Sequence, residues 1–194
     1  MIAATNLGSE RGNTTLFSCL TFKVGAGKLL SVTGPNGSGK STLLKIIAGL
    51  LPPTTGVVVR GESVIYIGHQ IGLHPALTPL ENLRSLLAIT YSIACAFDQM
   101  IDALWAFGLK GYEHSACFTL SRGQCQRVIL AGLVLSQRLC WIVDEPLTAL
   151  DEEGTHYLID QFLDHINRGG CLIVASHQKF TLQSVDQLTI ALGA

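Results

Sequence analysis

One segment of the chain has narrow backbone demands: Gly34-Pro35-Asn36-Gly37-Ser38-Gly39-Lys40-Ser41, with Thr42 following. It fits the pattern G-x-x-x-x-G-K-[ST], and its surroundings fit as well. Leu29–Thr33 reads as an apolar strand leading in. Ser41–Leu50 carries Leu43, Leu44, Ile46, Ile47 and Leu50 at helical spacing and is stopped by Pro52-Pro53. The glycines let successive N–H groups turn into one concavity, and the helix N-terminus adds positive potential there. Lys40 supplies a point charge for β- and γ-phosphates, and Ser41 offers a hydroxyl to Mg²⁺. Gly34 through Thr42 is therefore the candidate segment for binding ATP or GTP.

The rest of the chain alternates strand-like and helix-like segments, which points to an α/β fold with a largely parallel sheet. Leu16–Val24, Val57–Arg60, Val64–Gly68, Cys140–Val143 and Cys171–Ala175 read as strands. Gln124–Ser136 and Glu152–Asn167 read as helices. Leu80 to Phe107 is helical in pattern, with no obvious strand. At 194 residues the chain is expected to form a single domain, residues 1–194, with a helical subdomain at about 71–121 inserted in its core.

A second chemical site follows from Cys140-Trp141-Ile142-Val143-Asp144-Glu145-Pro146. A continuous apolar run suits a strand buried on both faces, and open α/β sheets place ligands at the carboxyl ends of such strands. Asp144 is the candidate Mg²⁺ holder, and Glu145 the general base that polarises an attacking water.

The order of motifs resembles an ATP-binding-cassette nucleotide-binding domain over nearly the whole chain. After the phosphate loop come Gln70, then Leu120-Ser121-Arg122-Gly123-Gln124, close to the signature L-S-G-G-Q. The Asp144-Glu145 strand, Ala149-Leu150-Asp151 and His177 follow. The resemblance implies a P-loop NTPase fold with a RecA-like core, a small antiparallel β part and the inserted helical subdomain. It also implies two domains closing head to tail around two ATP molecules. Ser121, Gly123 and Gln124 would then meet the γ-phosphate held by the other subunit, with Asp151 at the seam. Gln70 would join Ser41 and Asp144 around the metal and link to the helical subdomain, and His177 would hold the γ-phosphate, the water and Glu145. On their own, Gln70 reads as a solvated residue and His177 as a core histidine.

Three positions depart from the pattern. Arg122 replaces the first signature glycine. Gly132 stands in the following helix where the family often has Arg, and glycine disfavours helix. No Tyr or Phe stands ahead of the loop at the place where the family usually stacks adenine. Arg11, in Ser9-Glu10-Arg11-Gly12-Asn13, either stacks its guanidinium there or is a solvated turn residue.

A finer resemblance is to the haem-exporter ATP-binding subunits of cytochrome c biogenesis. It is carried by Glu10-Arg11 with Thr15-Leu16-Phe17, by Gly68-His69-Gln70 with Leu77-Thr78-Pro79-Leu80-Glu81-Asn82-Leu83, and by Trp141 through Asp151. It implies a peripheral subunit on the cytoplasmic face of a bacterial inner membrane, paired with integral CcmB- and CcmC-type subunits and acting in haem delivery or haem-chaperone release. Ile71, Leu73, Leu77 and Leu80 either receive a helix of such a subunit or form ordinary core. The rival readings are the ATPase of another lipid, lipoprotein or metal transporter, a soluble cassette ATPase, and an inactive binding module.

Composition narrows the partners. The net charge of −1 offers no global field for nucleic acid. A hydrophobic share of 48% against 14% charged leaves room for a partner-facing surface or a large core. No spanning segment or leader is expected from the apolar runs. The six cysteines form no C-x-x-C pair, so they are expected to be reduced thiols. No C-x-x-C-H run is present, so no direct haem ligation is expected.

Overall fold

The computed structural model describes residues 1–61, 63–68, 72–90, 92–148 and 150–193. Gln70, with its neighbours His69 and Ile71, and Ala149 lie outside the described residues. Two compact units are present. One comprises Met1–Gly68, Arg138–Glu145 and Phe162–Ala194, the other His69–Gln137 and Pro146–Gln161.

The first unit is built from two sheets. β1 (Ile2–Arg11) pairs antiparallel with both β2 (Thr14–Val24) and β4 (Thr55–Arg60), giving the order β2-β1-β4. The second sheet is parallel throughout, in the order β5-β6-β7-β3-β8. Its strands are β3 (Lys28–Thr33), β5 (Val64–Ile67), β6 (Cys140–Asp144), β7 (Cys171–Ser176) and β8 (Asp186–Ala191). β6 is buried along its length and β7 nearly so, which is why both read as unbroken apolar runs. β8 is an edge strand exposed at most positions.

Between the sheets runs α1 (Lys40–Ala48), which touches β1 and β4 of one and β5, β6 and β7 of the other. Nine residues make a helix too short to persist alone. Leu43, Leu44, Ile46 and Ile47 are buried, and at about 1.5–3 kcal/mol per aliphatic side chain their burial holds it. The opposite face of the parallel sheet carries Trp141, whose ring packs on Phe162 and stacks on His165 at 3.9 Å.

The second unit is helical. α2 (Pro79–Ser85) opens with a capping box between Thr78 and Glu81 and runs into a π-helical turn at Leu86–Thr90. α3 (Phe97–Ala106) and α4 (Arg122–Leu135) follow, and both pack on α2. The helical pattern from Leu80 to Phe107 is thus broken into separate helices, since residues 92–96 are not helical. The Asn82 side chain braces the unit, donating to the carbonyls of His74, Leu77 and Thr78 while accepting from the His74 N–H. α5 (Glu152–Asn167) contributes its first turns to this unit and its last, from Phe162, to the first.

Gly132 has a packing reason for its place in α4. A Cβ there would lie 2.5 Å from Leu86 Cδ2 and 3.3 Å from Leu83 Cδ1. Close approach of α4 to α2 and the π turn explains why this buried position carries no long side chain.

Candidate functional site

Three neighbouring strands of the parallel sheet, β6, β7 and β3, end at one edge. β3 delivers the Gly34–Lys40 loop, β6 delivers Asp144 and Glu145, and β7 delivers His177 just past its end. Register fixes their alignment, with Asp144 opposite Ala175 and Thr33 opposite Ser176.

Two of the loop's glycines, Gly34 and Gly39, have no room for a side chain. Gly34 has φ 149°, and a Cβ there would overlap the carbonyl oxygen of Leu192, so the end of β8 braces the loop's first turn. Gly39, at φ 98°, caps α1 and sits 3.1 Å (as an added Cβ) from Leu16 Cβ and 3.3 Å from Phe17 Cδ1. The start of β2 therefore lies directly on the loop. Arg11 is exposed at the far end of β1, opposite Thr14.

Lys40 is buried, and its ammonium donates to the carbonyls of Gly34 at 2.7 Å and Pro35 at 3.2 Å. Its Nζ is also 4.0 Å from Glu145 Oε1. Ser38 Oγ is buried with no hydrogen-bond partner among the described residues. A buried hydroxyl in a loop of turned N–H groups beside an ammonium fits a phosphate. Ser41 is exposed and Thr42 half-buried on the first turn of α1, while Pro35, Asn36 and Gly37 form the exposed outer bend.

Asp144 is 2% exposed. Its charge is felt by Tyr66 on the adjacent β5, whose phenol is pushed up to about 12 by burial first and by Asp144 second. Glu145 adopts φ 52°, an uncommon conformation for a residue other than glycine, and its N–H donates to the Ala175 carbonyl at 2.9 Å. Backbone strain of this kind collects at functional sites. The Glu145 Oε1 atom is 3.3 Å from His177 Nε2. A carboxylate held between an ammonium and an imidazole can take a proton from a water placed beside an anion.

In the second unit, Ser121 caps α4. Its hydroxyl accepts from the Gln124 N–H at 3.1 Å, and Gln124 Oε1 accepts from the Ser121 N–H at 2.8 Å. Both signature side chains thus shape the helix N-terminus, with Arg122 and Gly123 in its first turn. Asp151 caps α5, accepting from the Gly154 N–H at 3.0 Å, and pairs with Arg127 at 3.2 Å. Hydrogen bonding from Gly154 first, and the Arg127 charge with it, holds the Asp151 carboxyl below the usual carboxylate range. The sequence reading missed Arg127, although a lone cation heading the apolar run Val128–Leu135 needs an anion. Of the apolar residues proposed for a partner helix, Leu80 is buried and Leu73 and Leu77 are half-buried. Ile71 and Gln70 lie outside the described residues.

These features define the class, and comparison with known proteins agrees. The family model for the ABC transporter matches residues 17–148. A "Cytochrome c biogenesis ATP-binding export protein CcmA" of Tatumella citrea is 41% identical over 190 residues, covering 92% of this chain and 89% of the relative. Among solved structures, an ABC transporter ATP-binding protein from Pyrococcus furiosus matches with TM-score 0.83 at 22% identity, covering 98% of this chain and 96% of that one. A dimeric ATP-binding cassette in a post-hydrolysis state, bound to ADP and Pi, matches with TM-score 0.80 at 24% identity, covering 92% and 88%. The chain belongs to the ABC transporter family, in the group of cytochrome c biogenesis ATP-binding export proteins CcmA. No helix among the described residues is long and apolar enough to cross a membrane.

Proposed function

We propose that this chain is the ATP-hydrolysing subunit of a transporter complex that acts in haem delivery or haem-chaperone release during cytochrome c maturation. The observation that carries it is the convergence of Lys40, Glu145 and His177 at the carboxyl edge of β3, β6 and β7. The loop N–H groups and Ser38 Oγ cradle the phosphates, and Lys40 exchanges its carbonyl partners for the β- and γ-phosphates. Ser41 and Asp144, with Gln70, supply an oxygen donor set that suits Mg²⁺. When bound, the ion neutralises charge building on the phosphates. Glu145 takes the proton of the attacking water, and His177 holds the carboxylate in place and contacts the γ-phosphate.

The chain acts as one ABC ATPase domain, with residues at about 71–121 forming the helical subdomain. Two copies close around two ATP molecules. Ser121, Gly123 and Gln124 of each copy face the γ-phosphate on the other, and Asp151 lies at the seam. The pair sits peripherally on the cytoplasmic face of the bacterial inner membrane, against integral CcmB- and CcmC-type subunits. The relative's name as an export protein of cytochrome c biogenesis supports this assignment.

The test is affinity capture of the Glu145→Gln chain from native membranes with MgATP, with partners identified by mass spectrometry. Recovery of multi-spanning subunits with cytochrome c maturation factors supports the reading. Recovery of an unrelated permease leaves the ATPase and removes the haem role.

A further inference from the structure

Arg127 is one of two charged side chains in α4, and it lies on the half of the helix that is otherwise buried. Its side chain is 17% exposed, and its guanidinium makes contacts in two directions. Nη2 donates to Asp151 Oδ2 at 3.2 Å, and Nη1 donates to the Phe107 carbonyl at 3.4 Å, at the C-terminal cap of α3. Gly108 makes room for it, since a Cβ there would come within 3.0 Å of Nη1. Asp151 is itself fixed by the Gly154 N–H at the start of α5. One side chain therefore ties the signature helix, the end of α3 and the residue opening α5 into one piece.

Stability alone is a weak reason for this arrangement. The Asp151 side chain is 61% exposed, and an ion pair with one partner so exposed adds little to folding. What the contact does fix is the position of an exposed carboxylate relative to Ser121 and Gly123, which begin the same helix that carries Arg127.

We infer that Arg127 is a positioning residue for ATP-driven dimer closure: it registers Asp151 to the signature end of α4, so that both meet the second copy as a single preset surface. The inference rests on the proposed reading of the chain as an ATP-sandwiched dimer. A guanidinium suits the task because its planar fork serves a carboxylate and a carbonyl together. Lysine provides the charge without the second, fixed contact.

The experiment uses the full Glu145→Gln chain with its co-expressed membrane subunits and reads ATP-dependent dimerisation by cysteine-free crosslinking and sedimentation. Arg127→Ala is expected to weaken dimerisation about tenfold while nucleotide binding to the monomer stays within about twofold. Arg127→Lys should recover part of the loss. Arg127→Ala combined with Asp151→Ala should be no weaker than Asp151→Ala alone, because both remove one linkage. Arg127→Gln serves if the alanine variant does not fold. Dimerisation at the parental level in these variants, or fully additive losses, overturns the inference. A parent chain that fails to bind ATP overturns the functional reading itself, while one that binds ATP and stays monomeric rejects the dimer and this inference together.

Discussion

His177 Nε2 stands 3.3 Å from Glu145 Oε1, although the two residues are far apart in the chain and arrive from the ends of adjacent parallel strands. The same carboxylate oxygen is 4.0 Å from Lys40 Nζ. Glu145→Gln keeps the shape of the side chain and removes its basicity. It is predicted to lower kcat by about 10²–10⁴-fold while ATP binding is retained. His177→Ala should cost less alone and add little to Glu145→Gln, the outcome expected of two residues in contact that serve one proposed step. Steady-state turnover and equilibrium ATP binding measured on the three variants decide it. Unchanged turnover in Glu145→Gln removes the general-base role.

Lys40 is the only cation whose ammonium is bonded to the loop's own carbonyls among the contacts described, at Gly34 and Pro35. Lys40→Ala removes both the loop's ammonium, the proposed phosphate contact, and two internal hydrogen bonds. ATP affinity is predicted to fall by about 10–100-fold, the scale of one or two charge-assisted hydrogen bonds. Calorimetric titration with ATP checks this, and equal affinity counts against phosphate contact by Lys40.

The sequence made the loop, its flanking β3 and α1, and the β6 carboxylates legible because each rests on local rules: glycine spacing, helical periodicity and an unbroken apolar run. β1 and β8 escaped that reading. β1 passes through the polar stretch Thr5-Asn6 with Asn6 at φ 50° and shifts register along its pairing with β2, so no clean alternation appears. β8 is an exposed edge strand whose apolar residues have no buried face to mark. The break at 92–96 was hidden because Ile93, Ala94, Cys95 and Ala96 continue the apolar pattern there. The pairing of Arg127 with Asp151 is tertiary, and no spacing rule within one helix reaches it.

Gly132 shows a local rule yielding to packing. Helix propensity alone favours replacing it, and Gly132→Ala gains about 1 kcal/mol on that scale. The added methyl meets the mobile tip of Leu86, so the net change is predicted to stay within about 1 kcal/mol of zero. Gly132→Arg, the residue type the family pattern favours, must push a guanidinium into a buried contact between α4 and α2. A loss of about 3–5 kcal/mol is expected. Urea denaturation of both variants tests the pair of values, and a stable Gly132→Arg chain shows that α4 and α2 are less closely packed than described.

His165 gives the fold a specific acid sensitivity. Its ring is stacked on Trp141 at 3.9 Å with an interplanar angle of 7°, and Nε2 meets the Cys171 carbonyl at 3.2 Å. Burial pushes its pKa below the usual histidine value, and the carbonyls of Cys171 and Leu139 only partly oppose this. The sign follows from proton linkage. A histidine whose pKa is depressed in the fold is neutral there, while the unfolded chain begins to bind its proton at about pH 6.5. The histidine contributes no penalty above that value. As pH falls below it, the unfolded state gains protons that the fold refuses, and stability declines until the folded pKa is passed. The carboxylates of Glu81, Glu113 and Asp151, all held low, act in a more acid range. Urea midpoints of the parent and His165→Gln chains at pH 7.5, 6.5 and 5.5 isolate the histidine. The parent should lose more stability than the variant over that interval, and an equal loss in both assigns the acid sensitivity to other groups.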